Sequence, residues 1–429
     1  MAMQPFLRRS LLGIALALCL HPPLGAEEKP GIPDEARQQF NHAIELYQQG
    51  KYAEAEKEFR AVVAIRRRVL GPEHPDTLES RSNLAVVLNA QGKYAEAEKE
   101  HRERIPIEER VLGPEHRDTL SSRNSLGVAL QGQGKYAEAE KEHRTLIAIQ
   151  ERVLGSEHPD TLQSRNNLAI GLAAQDKYLE AEKEHRALLA VHKRALGPEH
   201  LDTLRSRGNL AEVLRAQHKL TEAESEHQAV LALRERILGP EHPDTVRSRS
   251  NLAVVLGAQG KHAEAEKEHR GVLAIRERVL GPEHPDTLSS GNNLAIALND
   301  QGKHAEAEKE HRAVLATYER VLGPEHPDTL ASRNNLSTAL QAERKYAEAE
   351  KEYRAVLAIS ERALGAGHPD VFRNCFNLAL VLRAQKKMPE ALEFAKRAES
   401  GLPSALGAEH PDFKNARRLR EEIEAELKK

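Results

Sequence analysis

Histidine and glutamate recur in this chain at intervals regular enough to suggest chemistry. One histidine series runs His74, His116, His158, His200, His242, His284, His326, His368 and His410, and a second runs His101, His143, His185, His227, His269 and His311. Glutamates crowd short stretches such as Glu96, Glu98 and Glu100. Clustered histidines can ligate a metal, and paired carboxylates can share acid and base work in hydrolysis. Neither pattern converges on one place, because successive members of a series lie 42 residues apart. In a stack of repeats, equivalent positions sit about 8–10 Å apart. Ligands of one zinc ion each lie about 2 Å from it, so consecutive copies cannot share an ion. No His-x-x-x-His pair with a catalytic glutamate occurs. Acids repeated in nearly every copy describe a face, whereas a catalytic site is singular. Glu98 and Arg102, four apart on a helix, suit a solvated surface. Cys375 replaces the arginine found at Arg81, Arg123 and Arg165 and reads as buried filler. There is no phosphate-cradling glycine loop, no nucleophile elbow and no cysteine pair. The chain therefore reads as a non-enzyme without cofactor or metal.

Asparagine makes the most informative series. Asn83, Asn167, Asn209, Asn251, Asn293, Asn335 and Asn377 hold one position, broken only by Ser125, beside which stands Asn124. Asn166, Asn292 and Asn334 likewise precede it. Asparagine is a poor helix former, so its recurrence in mid-helix needs a reason. Its amide can donate to and accept from one peptide unit of a bound chain, or bond the neighbouring helix. Both readings stand at this point.

The elements that position these residues follow from a repeat. The phrase Leu70-Gly71-Pro72-Glu73-His74-Pro75-Asp76-Thr77 returns every 42 residues up to Leu406. Counted from Asp34, nine units (34–75, 76–117, 118–159, 160–201, 202–243, 244–285, 286–327, 328–369 and 370–411) cover 378 residues. Such a period signals a solenoid. Asp76 is expected as an N-cap with helix A running to about Gln91, followed by a turn at Gly92 and helix B over about 94–112. Gly71 is expected to end helix B in the αL conformation. The turn glycine gives way to Asp176, His218, Arg344 and Lys386, where its positive φ is either relaxed or strained. Pro106 should kink one helix B, and Gly401 with Pro403 should shorten the last. Residues 412–429 form a helix suited to capping the open end.

Composition narrows the function. Of 429 residues, 63 are basic and 66 acidic, net −3, and aromatics make up 3%. That balance disfavours nucleic-acid binding through a positive field, and few rings remain for stacking bases. Residues 1–26 pair Arg8 and Arg9 with an apolar run, Leu11 to Leu20, and end Leu24-Gly25-Ala26, as a secretory signal does. The run is too short to span a bilayer, so an exported protein, periplasmic or secreted, without an integral membrane segment after cleavage is expected. Residues 27–33 read as a linker.

The stretch Asn83-Leu84-Ala85…Leu88…Gly92-Lys93-Tyr94-Ala95-Glu96-Ala97-Glu98 resembles a tetratricopeptide repeat. Its 42-residue period, its Asn166-Asn167-Leu168-Ala169 form and its Leu-Gly-Pro-Glu-His-Pro-Asp linker are similar to the kinesin-light-chain subclass. The resemblance implies an all-α, right-handed superhelical solenoid whose A helices line a concave groove that binds extended peptides. It also implies that the asparagine ladder faces the groove. The expected function is an interaction scaffold for a protein or peptide partner, with a structural or self-associating spacer as the alternative. Groove positions four before, three after and six after the ladder are mostly apolar or uncharged. They carry two cationic foci, Arg205 with Arg215 and Arg247, and Arg373 with Arg383. An acidic group of the partner is expected at the first focus, held by arginine forks beside Asn209 and Asn251.

Overall fold

The computed structural model describes residues 34–406 and 410–428, so the signal expected at 1–26 and the linker expected at 27–33 lie outside the described residues. The described chain is a succession of paired helices, 19 in all, with no strand among the described residues. The first pair is α1 (Asp34–Gln48) and α2 (Tyr52–Leu70), the second α3 (Pro75–Ala90) and α4 (Tyr94–Val111). Then come α5 (Arg117–Gly132) with α6 (Tyr136–Val153), and α7 (Pro159–Ala174) with α8 (Tyr178–Leu196). The fifth and sixth pairs are α9 (Leu201–Ala216) with α10 (Leu220–Leu238), and α11 (Pro243–Ala258) with α12 (His262–Leu280). The seventh and eighth are α13 (Pro285–Asp300) with α14 (His304–Val321), and α15 (Pro327–Ala342) with α16 (Tyr346–Leu364). The ninth is α17 (Pro369–Ala384) with α18 (Met388–Leu406), and α19 (Pro411–Leu427) follows. The array divides into two compact units between Ala174 and Gln175.

Each A helix from the second pair onward begins with a histidine cap. His74 is extended (φ −65°, ψ 138°), and its Nδ1 accepts from the Asp76 amide at 3.2 Å. The same bond forms at His116, His158, His200, His242, His284, His326, His368 and His410. This corrects the expected aspartate cap. Asp76 sits within the first turn, where its carboxylate meets the positive end of the helix dipole. A ring nitrogen that accepts is unprotonated, so these histidines carry their hydrogen on Nε2. Thr77 Oγ1 then donates to the Gly71 carbonyl at 2.9 Å and folds the linker back. Gly71 itself has φ 96° and ψ 164°, an extended positive-φ state reserved for glycine and not the αL expected.

The A–B turn keeps its positive φ throughout. Gly92 has φ 74°, and the non-glycine replacements Asp176, His218, Arg344 and Lys386 lie at 59°, 59°, 60° and 61°. The strain is therefore accepted there, not relaxed. Helix α4 runs on through Pro106. Helix α18 is not shortened: Gly401 lies inside it because a Cβ would meet the Phe372 ring at 2.0 Å.

The expected Glu98–Arg102 pair forms and Glu96 is exposed, but Glu98 itself is buried as a clamp between repeats, which corrects the solvated-face reading at that residue. Glu98 Oε2 accepts from Gln133 Nε2 (2.6 Å) and Lys135 Nζ (2.7 Å) of the next pair, while Oε1 accepts from Arg102 at 2.7 Å. Burial works against its charge, but Lys135, Arg102 and Gln133 hold the carboxyl at about 2. Glu56, Glu182, Glu224, Glu266 and Glu350 accept from the glutamine and lysine of the next pair in the same way. The apolar core forms separate clusters within each unit and is richest at the end of the array. There Cys375, Phe376 and Leu378 of α17 join Ala416, Leu419 and Ile423 of α19. Burial pushes the Cys375 thiol up to about 12, as befits filler.

Candidate peptide-binding groove

Successive A helices touch one another within each unit (α3 with α5, α5 with α7, α9 with α11, α11 with α13, α13 with α15), and no successive B helices approach as closely among the described residues. The A helices therefore line the inner side. Of the three registers expected on that face, the one four before the ladder is accessible: Glu79, Ser121, Gln163, Arg205, Arg247, Ser289 and Ala331 are all half-buried. The register six after it is buried at Asn89, Gln131, Ala173 and Arg215.

The ladder lies mostly within the wall. Asn83, Asn167, Asn209, Asn335 and Asn377 are buried, which corrects the expectation that these five amides face a ligand. Tight A-to-A packing takes their place in the groove. Asn167 Nδ2 donates to Asn124 Oδ1 of the preceding A helix at 3.0 Å, and Asn293 Nδ2 to Ser250 Oγ at 3.4 Å. Asn124, Asn251 and Asn293 stay half-buried, so these three retain access.

The cationic foci change more. Arg215 is buried and bonds Glu212 Oε2 through Nε and Nη2 at 3.1 and 2.9 Å, and His227 Nε2 lies 3.1 Å from Glu212 Oε1. Burial opposes the Glu212 charge, yet Arg215 and His227 hold its carboxyl at about 2. Arg215 is thus spent inside the protein and does not belong to the groove. Arg373 is likewise buried between Asp370 and Asp412, each at 2.7 Å, and Arg383 reaches Glu422 and Glu426 of α19. Arg205 and Arg247 remain about 40% exposed, each bonded only to the aspartate three residues before it, Asp202 at 2.8 Å and Asp244 at 2.5 Å.

The helix-B histidines are core residues. His101, His143, His185, His227, His269 and His311 are buried, and burial lowers His143, His185, His269 and His311 to about 4. Phe59 and Tyr353 occupy the same place in other repeats. Among the described residues no cluster of three metal-type side chains forms.

One series escaped the sequence reading. Arg66, Glu108, Gln150, His192, Arg234, Arg276, Tyr318 and Ser360 hold a single helix-B position that docks on the first turn of the next A helix. Arg66, His192, Arg234 and Arg276 bond the serine 14 residues on, at 2.9, 2.7, 2.8 and 2.8 Å. The signal lies in its variety: Arg, Glu, Gln, His, Tyr and Ser share one place. Around the third member opens a cavity of about 530 Å³ beside α3, α5, α6 and α7, lined by Ser82, Val86, Leu120, Ser121, Asn124, Ser125, Gln150, Leu154, His158, Pro159, Gln163 and Ser164 and by the charged Glu115, Arg117 and Asp160. Gln150 Oε1 and Ser164 Oγ are buried there without partners.

Sequence profiles of the tetratricopeptide repeat match residues 46–110, 166–225, 204–270 and 249–298, and a second such profile matches 119–160, 287–328 and 329–370. The chain belongs to the tetratricopeptide repeat family. It is similar to a kinesin-light-chain-like protein of nearly identical repeats from Podosopora anserina, at 32% identity over 48% of this chain and 98% of that one, TM-score 0.40. A single-residue variant of that protein aligns at 31% over 47% and 95%, TM-score 0.40. BtubC (BKLC) from P. vanneervenii aligns at 20% over 55% and 92%, TM-score 0.42. No curated protein matches the chain.

Proposed function

We propose that this protein is a non-enzymatic scaffold that binds an extended peptide, or an extended segment of a partner protein, against its A helices. The observation that carries the reading is the cavity beside α3, α5 and α7. Its lining carries hydroxyls and amides, which can pair with peptide backbone of any sequence, together with the charged Glu115, Arg117 and Asp160. Two buried polar atoms there lack partners, and an unsatisfied buried group costs about 1–3 kcal/mol until something bonds it. The signal-like residues 1–26 support an exported protein, so the partner belongs outside the cytoplasm.

The test is selection of displayed random peptides on the chain from residue 27 onward, followed by affinity measurement on Ser121→Trp and Gln163→Trp, which fill the cavity. We expect an enriched peptide whose binding these changes abolish, while Lys99→Trp on the outer face of α4 leaves it intact. Absence of any enriched peptide, or equal loss at all three positions, overturns the proposal and leaves a spacer.

A further inference from the structure

The repeats act as internal controls on one another. Arg66 Nη1 donates to Asp76 O (2.7 Å) and to Ser80 Oγ (2.9 Å), so a guanidinium from helix B fills the space behind the start of the next helix A. Arg234 does the same to Asp244 O (3.1 Å) and Ser248 Oγ (2.8 Å), and Arg276 to Asp286 O and Ser290 Oγ, both at 2.8 Å. In the second copy Arg104, one turn earlier on α4, reaches Ser122 Oγ at 2.9 Å, and in the fourth His192 Nδ1 lies 2.7 Å from Ser206 Oγ. The third copy breaks the rule. Its residue is Gln150, shorter than arginine and uncharged, and its serine is Ser164. Gln150 is 3% exposed and Ser164 1%, yet Gln150 Oε1 and Ser164 Oγ have no partner. Two further departures fall at the same place. Ser125 breaks the asparagine ladder with a smaller side chain, and Asp160 meets only the ring of His158, at 3.9 Å, among the described residues. That ring accepts from the Asp160 amide through Nδ1, so it carries no charge. Asp202 and Asp244, by contrast, are taken by Arg205 and Arg247. All of these departures line the 530 Å³ cavity of the first unit. The carboxylates of Asp160 and Glu115 outnumber the exposed Arg117 in its lining, with Arg152 on Glu115 at 2.6 Å. An amide oxygen only accepts, so the group that completes this place must bring N–H donors.

We propose that this cavity takes a guanidinium group, the arginine side chain of a bound peptide, in the place that Arg66, Arg234 and Arg276 fill in their own copies. Its N–H groups meet Ser164 Oγ, the Asp160 carbonyl and Gln150 Oε1, whose amide turns toward the space to receive it. The Asp160 carboxylate supplies the opposite charge. A planar fork of five donors serves several fixed acceptors together, which a compact ammonium with three donors does less well. The inference rests on the reading of the A-helix face as peptide-binding and names the side chain that the peptide brings.

The test uses the chain from residue 27 onward and labelled alanine-serine peptides that differ only in a central arginine, lysine or citrulline, read by anisotropy. Agmatine, a free guanidinium, is read separately by its effect on the melting temperature. The arginine form should bind roughly tenfold or more tightly than the citrulline form, its neutral isostere, as expected for charge-assisted bonds. The lysine form should fall between them. Gln150→Arg supplies the guanidinium from within and recreates the Arg66–Ser80 bond, so it should fold with an equal or higher melting temperature and lose the preference. Asp160→Asn should weaken it. Equal binding of arginine and citrulline peptides overturns the site while leaving the scaffold, and lysine binding as tightly as arginine overturns the guanidinium fork. If no peptide binds but agmatine raises the melting temperature of the parent and not of Gln150→Arg, the site stands and the peptide reading falls. If agmatine also fails, both fall.

Discussion

His410 Nε2 lies 2.6 Å from Asp176 Oδ2, so the linker after the ninth repeat meets the turn of the fourth within the second unit. His410 Nδ1 meanwhile accepts from the Asp412 amide at 3.0 Å, which leaves the hydrogen on Nε2 to reach Asp176. Tyr178 Oη donates to the other oxygen of Asp176 at 2.5 Å. One strained turn residue thus has two partners that glycine would not serve.

That contact separates two kinds of turn replacement. His218→Gly should stabilise the protein by about 1 kcal/mol, because φ 59° then carries no Cβ penalty. Asp176→Gly should stabilise less or destabilise, since the same relief is offset by the lost bonds to His410 and Tyr178. Urea midpoints of the two variants check this, and equal shifts would remove any energetic role for His410.

Acid should weaken the fold between about pH 6.5 and pH 4. The helix-B histidines at 143, 185, 269 and 311 are lowered by burial from 6.5 to about 4, so the unfolded chain binds more protons in that window. Stability is full above the unfolded value and falls as pH drops toward 4, by on the order of 2–3 kcal/mol per ring. Replacing His185 and His269 by phenylalanine, the residue found at Phe59, should flatten the profile. Thermal melts across that range decide it.

Arg104 and Glu108 form a fully buried pair, Nε to Oε1 at 3.0 Å, in the place where α6 has Leu146 and Gln150. Burial raises the Glu108 carboxyl despite Arg104, and it lowers Arg104 despite Glu108. Glu108→Gln alone should cost about 3–5 kcal/mol, because it strands a buried cation. Adding Arg104→Leu copies the α6 pair and should restore most of that loss. Additive losses in the double variant would contradict the account.

Removing residues 244–285, one whole period, should leave a folded protein, because each pair packs chiefly on its neighbours. Removing half a period should not, since it sets a B-type face where an A-type face is needed. Circular dichroism and a cooperative melt distinguish the outcomes.

Much of this was legible in the chain itself. The period placed nearly every helix to within a residue or two, because the turn at Gly92-Lys93 and the linker at Pro75 interrupt helices for steric reasons. The cap differs from the expected aspartate because a histidine accepting through Nδ1 leaves no compositional mark, whereas aspartate is the usual side chain that satisfies the first-turn amides. The resemblance implies a groove-facing place for Asn83, and the spacing along helix A implies one for Arg215. Their burial depends on how closely the next A helix approaches, and on Glu212 lying three residues from Arg215. The Arg66–Arg234 series carries no such mark, because Arg, Glu, Gln, His, Tyr and Ser at one helix-B place share no common chemistry.

The central claim, that the A-helix face holds an extended peptide, is tested most directly by hydrogen exchange on the chain with and without its selected peptide. Added protection should fall on α3, α5 and α7 around Ser121, Asn124 and Gln163, with α4 and α6 unchanged on their outer faces. Protection confined to the B helices, or none at peptide saturation, would contradict it.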